Sequence, residues 1–186
     1  MSLHNNNVGI LGWISGNADG ARIHGNDITG NLRIGIGLFG NAEGAKITSN
    51  DLSDTGGFIA TDGSERGRGY VGSADGVSLI GNVINDSARQ GILLIDDLGN
   101  FAERNTIRDN TVLDSGRVFG GGIVLWGSDE TDRPRDNMVQ SNTVFSSVSD
   151  ISDLGEGFGP AGPQLVCLNT WKDNDFDTAN PADCIE

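Results

Sequence analysis

The chain has 186 residues, a formal net charge of −14, and 36% hydrophobic but only 6% aromatic residues. A charge of this sign repels phosphate backbones and anionic lipids, so nucleic acid is excluded as an expected partner. No apolar run reaches the roughly 20 residues that span a bilayer, and membrane insertion is not expected. Its 29 glycines favour a tightly wound chain of short elements over a bulky helical core.

Glycine-led apolar segments recur along the chain and predict strands, because they are short and rich in β-branched and aromatic residues. They cover residues 9–14, 35–39, 57–60, 91–95 and 122–126. Alternation along a strand directs inward Ile36, Leu38, Ile92, Leu94, Ile123 and Leu125. No apolar period of 3.6 residues persists, so helices are not expected.

A second frame, with one asparagine in each copy, follows these segments at 21–28, 45–52, 77–84, 105–112 and 137–144. Asn26, Asn50, Asn82, Asn110 and Asn142 are separated by 24, 32, 28 and 32 residues. Such intervals are typical of a solenoid, in which one supersecondary unit stacks on the next. We expect each asparagine at a corner between two strands, in left-handed backbone, with its amide bonded to the repeats on either side.

Each repeat predicts three strands: the glycine-led one, one around the Ala-x-Ile motif, and a short one after the asparagine, as at 27–29. Strands that recur with one direction stack as parallel sheets, so we predict an all-β fold, a right-handed parallel β-helix of about six rungs. The frame also loosely fits a leucine-rich repeat, whose horseshoe would place a helix or turn behind each strand. The polar stretch 61–69 predicts an exposed loop that lengthens one rung.

The repeat weakens beyond residue 146 into a stretch rich in glycine and proline. We predict one domain over 1–186, with repeats at about 8–148 and a terminal rung and cap at about 149–186. The tail 174–185 is expected to fold over the open end. Cys167 and Cys184 would close a loop of about 18 residues as a disulfide, which suggests an oxidising compartment. Two buried thiols are the alternative.

The Ile-x-x-Asn-x-Ile frames, the Gly-Ile-x-Leu strands and the terminal 167–185 segment resemble the parallel β-helix repeat proteins of the pectate-lyase-like superfamily. That resemblance covers about residues 8–186. It implies a carbohydrate-related role, since the superfamily includes polysaccharide lyases, hydrolases and epimerases, along with phage tailspikes and surface adhesins. No catalytic motif of the superfamily is intact in this chain.

In that superfamily the outer face of the glycine-led sheet commonly forms the sugar-binding groove. Alternation places Phe39, Ile95 and Trp126 on that face, and Trp13 is expected to join them. We therefore predict Trp13, Phe39 and Trp126 as substrate-binding residues that stack on pyranose rings. The alternative is that they pack under loops or against another subunit.

Carboxylates at the ends of the same strands are the candidate catalytic residues, as acid and base or as nucleophile. The candidates are Asp62, Asp96, Asp97, Asp129 and Glu130. A lyase would also need a basic group, for which the candidates are Arg66, Arg68, Arg89, Arg104 and Arg117. A cluster of these carboxylates would also suit Ca²⁺, and no other metal or cofactor is expected. The alternative is that they are solvated turn acids.

These observations together predict an extracytoplasmic β-helix, secreted, on the cell surface or periplasmic, that binds polysaccharide along its outer sheet face. One alternative is a polysaccharide lyase or glycoside hydrolase that acts on an acidic polysaccharide. Another is a structural adhesin or assembly module, which would self-associate through an open N-terminal rung.

Overall fold

The computed structural model describes residues 1–12, 18–40, 42–55, 68–96, 102–116, 121–127, 134–146, 150–155, 168–180 and 185. Within these residues the chain forms strands, isolated bridges and turns, and no helix. The described chain accordingly offers no helical segment that would cross a membrane. A horseshoe backed by helices is therefore ruled out over these residues.

The strands are short, and most have three to six residues. They are β1 (Val8–Gly12), β2 (Arg22–His24), β3 (Ile34–Phe39), β4 (Lys46–Thr48), β5 (Arg68–Ser73), β6 (Ser78–Ile80), β7 (Val83–Asn85), β8 (Ile92–Asp96), β9 (Thr106–Arg108), β10 (Thr111–Leu113), β11 (Ile123–Gly127), β12 (Met138–Gln140), β13 (Thr143–Phe145), β14 (Ile151–Gly155), β15 (Thr170–Lys172), β16 (Asp175–Phe176) and β17 (Ala179–Asn180).

The strands form three parallel sheets, each ordered along the chain. Sheet 1 contains β1, β3, β5, β8, β11, β14 and β17; sheet 2 contains β2, β4, β6, β9, β12 and β15; sheet 3 contains β7, β10, β13 and β16. From β6 onward the chain visits sheet 2, sheet 3 and sheet 1 in a fixed cycle. Stacked parallel sheets visited in this order are compatible with the predicted β-helix.

One main core collects the inward side chains of all three sheets. In sheet 1, Ile36 and Leu38 are buried, as are their counterparts in β8 and β11, which confirms the predicted alternation. In the three-residue strands of sheets 2 and 3 only the middle residue points inward, as Ile47 and Ile84 show. A stack of this kind buries a long, thin core.

Sheet 3 begins later in the chain than expected. Asp27 and Asp51, where the first two copies of its strand were predicted, form isolated parallel bridges, and regular pairing starts at Val83. Valine and threonine occupy this position from β7 to β13, and they suit a pleated strand better than aspartate does.

The prediction of a strand at 57–60 followed by an exposed loop at 61–69 also needs correction. The place in sheet 1 between β3 and β8 belongs to β5, which includes Arg68 and Gly69 of the predicted loop. Tyr70 explains the position, because it lies in register with Ile36 and Ile92 and is fully buried in the core. The predicted strand at 57–60 lies outside the described residues.

The tail continues the sheets. Asp175 and Phe176 pair with Thr143 and Val144, so they extend sheet 3. The predicted cap over 174–185 lies partly outside the described residues and remains a prediction. The three strands β15, β16 and β17 each add to one sheet. Ile185 packs into the main core at 7% exposure.

Candidate functional site

The outer face of sheet 1 carries a second hydrophobic cluster, separate from the main core. We call it the outer strip; it comprises Ile34, Phe39, Leu93, Ile95, Val124 and Trp126. Leu93 pairs in register with Val124, and Ile95 with Trp126, so each pair spans one strand spacing of about 4.8 Å. Alternation places Leu93, Ile95, Val124, Trp126 and Phe39 on the face opposite the core residues, and Ile34 packs against them at the start of β3.

The outer strip is well packed for an external face. Leu93 and Val124 are only 3% and 7% exposed, whereas Phe39, Ile95 and Trp126 are half-buried. The centre of the strip, at Leu93 and Val124, is therefore almost inaccessible to solvent, whereas the aromatic rings of Phe39 and Trp126 are partly accessible. An apolar surface of this kind, held by a rigid sheet, suits a ligand with an apolar face.

Gly37 makes room for the Phe39 ring. A Cβ placed at Gly37 would lie 3.1 Å from Cε2 of Phe39 and 3.1 Å from Cδ1 of Leu11. The Phe39 ring therefore lies over the backbone of its own strand. Glycine at this position lets the ring rest close to the sheet.

The structure brings two of the three predicted sugar-binding residues to one face. Phe39 is in register with Ser73 of β5, and Trp126 with Ile95 of the neighbouring β8. Phe39 and Trp126 are therefore three strand spacings apart, about 14 Å. Trp13 lies outside the described residues.

Most candidate catalytic residues fall outside the described residues: Asp62, Asp97, Asp129, Glu130, Arg66 and Arg117. Asp96 is the last residue of β8, and its backbone is in register with Gly127. Within the described part of the chain, no three His, Cys, Asp or Glu side chains are grouped to hold a metal ion. Cys167 and Cys184, the predicted disulfide, also lie outside that part.

Arg104, one of the candidate bases, belongs to a chain of surface ion pairs at the turns before sheet 2. It contacts Asp75 of the preceding repeat and lies 3.1 Å from Glu103. Glu103 also binds Arg135 of the following repeat, with an Nη2–Oε1 distance of 2.5 Å. These charges link three repeats on the outside of the molecule, at the turns that lead from sheet 1 to sheet 2.

The predicted asparagines form a continuous column together with Asn174. In every step, the backbone N and the Nδ2 of one asparagine both donate to Oδ1 of the next, over 2.9–3.0 Å. The other Nδ2 proton reaches a backbone carbonyl, as from Asn110 to Leu79 at 3.0 Å. The side chains thus satisfy buried corner groups that sheet pairing leaves open.

The left-handed backbone at these corners belongs to the residue before each asparagine, which corrects the expectation. Those residues are Gly25, Ser49, Gly81, Asp109, Ser141 and Asp173, with φ of 53–64°. The asparagine itself does not adopt the left-handed φ, and its side-chain amide forms the hydrogen bonds of the column. Glycine and short polar residues fill the strained position because they tolerate it best.

A second asparagine column escaped the sequence analysis. Asn105, Asn137 and Asn169 are buried, and Asn137 Nδ2 donates to Asn169 Oδ1 at 2.9 Å. The column begins at Asn105, whose Oδ1 accepts the backbone N of Val77 at 2.7 Å. Their constant spacing, five residues before Asn110, Asn142 and Asn174, is the sequence pattern that could have predicted this second column.

Asp150 is a buried carboxylate that the sequence did not single out. Its Oδ1 accepts the backbone N of Ser146 at 2.6 Å, and its Oδ2 accepts the backbone N of Asp177 and of Thr178 at 2.8 and 2.7 Å. Three backbone N–H groups thus donate to its two carboxylate oxygens. The residue joins the start of β14 to the turn between β16 and β17, which is a structural role.

Comparison with known proteins finds no matching family model, no matching curated protein and no matching solved structure.

Proposed function

We propose that this chain is an extracytoplasmic right-handed parallel β-helix of about six rungs, similar in design to the pectate-lyase-like superfamily, and that it binds polysaccharide along the outer strip. The observation that carries the proposal is the outer strip itself. It places Phe39 and Trp126 half-buried on one rigid face, outside the core that holds the fold together.

Pyranose rings have faces of C–H bonds, which can replace water on the aromatic rings of Phe39 and Trp126. Burial of apolar surface contributes about 25 cal/mol per Å², so two stacked sugars gain enough for selective though weak binding. The separation of about 14 Å between the strands of the two rings suits a short oligosaccharide segment that runs across the strands.

Affinity electrophoresis in gels that contain neutral or acidic polysaccharides tests the proposal. Trp126→Ala should weaken retardation in the recognised polysaccharide at least tenfold, which corresponds to about 1.4 kcal/mol. Met138→Ala is the matched control, because Met138 is a large apolar side chain with 44% exposure on sheet 2. The proposal is wrong if no polysaccharide retards the wild type, or if both variants behave alike.

The enzymatic alternative, a polysaccharide lyase or glycoside hydrolase, draws support from Asp96, which directly follows Ile95 of the outer strip at the end of β8. Incubation of the retarding polysaccharide with the protein, with and without Ca²⁺, distinguishes the two functions. New reducing ends or unsaturated products would indicate turnover. Retardation without products supports a binding module.

The assembly alternative draws support from the N-terminal end of the stack. Leu3, Ile10 and Ile23 of the first repeat are only partly buried, whereas Ile36 and Ile47 of the next are fully buried. Self-association through this end would protect those side chains and the edges of β1 and β2.

A further inference from the structure

Sheet 2 exposes basic side chains and no acidic ones, although the chain as a whole carries −14. Its six strands contain no aspartate or glutamate, yet they include both lysines of the chain. We call its exposed cationic set the basic face; it comprises Arg22, Lys46, Arg108 and Lys172. Such a distribution concentrates positive potential on one side of an acidic molecule.

Sheet 3 has the opposite character. Its strands and bridge positions contain no lysine or arginine. We call its exposed carboxylates the acidic face; it comprises Asp27, Asp51, Asp175 and Asp177, the last of which directly follows β16. The two sheets therefore segregate charge of opposite sign onto different faces.

The two faces match in their positions along the stack. Arg22 and Lys46 are in register on neighbouring strands, and Asp27 and Asp51 form a bridge in the same two repeats. Both pairs therefore have the strand spacing of about 4.8 Å. At the other end, Lys172 of β15 and Asp175 of β16 share the last repeat.

The middle repeats of both faces are mostly neutral. On sheet 2 the position of Arg22 and Lys46 is taken by Ser78 and Thr106 in the next two repeats. On sheet 3 the position of Asp27 and Asp51 is taken by Val83, Thr111 and Thr143. Each face thus carries charge near its two ends and less between them.

Part of this charge has no partner within the described chain. Neither Arg22 nor Lys46 forms an ion pair with a described residue. Among the described residues the Asp51 carboxylate accepts only the backbone N–H of Ser53 at 3.1 Å, and Lys172 lies 3.9 Å from Asp173 on the open surface. Surface pairs of this kind are weak and can exchange for contacts with another molecule.

We infer that the basic face of one copy of this chain docks on the acidic face of a second copy, with the two stacks side by side and parallel. In this arrangement Arg22 and Lys46 meet Asp27 and Asp51, and Lys172 meets Asp175. The neutral middle repeats pack against each other. Because the two surfaces differ, the contact is heterologous and can continue from copy to copy.

A second copy fits the basic face better than a uniformly charged polyanion does. A polymer with a charge on every unit would set charges against the uncharged Ser78 and Thr106, and against Arg108, whose guanidinium already pairs with Asp109 at 3.0 Å. The acidic face reproduces both the charged ends and the neutral middle. It also reproduces the strand spacing, because the same repeats build both faces.

Sedimentation equilibrium at about 1 mM protein tests the contact, since a few surface ion pairs give association in that range. The wild type should form oligomers in 0.1 M salt and dissociate in 1 M salt, where the screening length falls from about 10 Å to about 3 Å. Two double variants remove one face each: Arg22→Ser with Lys46→Ser, and Asp27→Thr with Asp51→Thr. Serine and threonine already occupy these positions in neighbouring repeats, so the fold should be retained.

Each double variant should associate roughly tenfold more weakly than the wild type. Arg33→Ser and Glu43→Gln are the matched controls, because they change exposed charges outside sheets 2 and 3, and they should leave association unchanged. An equimolar mixture of the two double variants should form mainly heterodimers, because one intact basic face meets one intact acidic face.

Three results would overturn the inference. The first is a wild type that stays monomeric in 0.1 M salt. The second is association that survives in both double variants or in 1 M salt. The third is a monomeric wild type whose mobility shifts with a polyuronate in a way that Arg22→Ser with Lys46→Ser abolishes, because the basic face would then bind a polyanion.

Discussion

Asn110 lies in the interior of the asparagine column, and its replacement by alanine is expected to cost about 4 kcal/mol of folding free energy. The Asn110 amide makes four hydrogen bonds: Oδ1 accepts the backbone N and the Nδ2 of Asn82, and Nδ2 donates to Asn142 Oδ1 and to the Leu79 carbonyl, all over 2.9–3.0 Å. Each is worth about 1 kcal/mol net, and buried groups left without a partner add to the cost. Against a typical total of 5–15 kcal/mol, such a loss is severe.

Asn26→Ala provides the comparison, because Asn26 begins the column. Its Nδ2 donates only to the His24 carbonyl at 3.1 Å and to Asn50 Oδ1 at 2.9 Å, and the site is partly exposed. This change should cost about 1–2 kcal/mol. Urea denaturation followed by circular dichroism measures both variants. Equal losses at the two positions would refute the reasoning, since the column would then not stabilise its interior more than its end.

Three further predictions concern the core, the strand entries and the cysteines. Burial raises the pKa of Tyr70 above its ordinary value of 10.0. The unfolded state therefore loses the phenol proton first, so the free energy of unfolding is unaffected below pH 10 and falls as pH rises above it. Tyr70→Phe should remove that alkaline loss. Because the buried hydroxyl has no hydrogen-bond partner among the described residues, the variant should also gain about 1 kcal/mol at pH 7. Urea titrations at pH 7 and 11 measure both effects, and an identical alkaline loss in the variant would contradict the prediction. Gly91→Ala should lower the thermal unfolding midpoint, because the added Cβ would collide with a methyl group of Val112. The expected loss of stability is about 1–3 kcal/mol. An unchanged midpoint would contradict this, since the strands would then have room to separate. Cys167 and Cys184 should resist alkylation in the unfolded protein until a reductant is added, and modification without reductant would show free thiols instead.

Periodicity alone was enough to predict the parallel strands, because the inward residues repeat with the stack. Ile36, Leu38 and Asn82 each have equivalents one repeat away, so their positions follow from the intervals. The sequence did not reveal where an insertion ends and a strand resumes, and β5 was therefore misplaced. Its glycines resembled a loop, although Tyr70 marks a core position.

The polar features were harder to predict than the apolar ones. The column of Asn105, Asn137 and Asn169 starts midway along the chain, where asparagine replaces the Val77 of the preceding repeat. The segregation of charge between sheets 2 and 3 depends on which residues face outward at each strand. That became apparent only when the register placed Arg22 beside Lys46 and Asp27 beside Asp51.

The most direct test of the central claim, that polysaccharide binds along the outer strip, is an NMR titration of the ¹⁵N-labelled protein with an oligosaccharide from the polymer that retards it. The account predicts that the indole N–H signal of Trp126 and the amides of β8 and β11 shift together and saturate, while the amides of sheet 2 stay in place. A saturating titration that shifts sheet 2 or sheet 3 and leaves Trp126 unchanged would contradict the account.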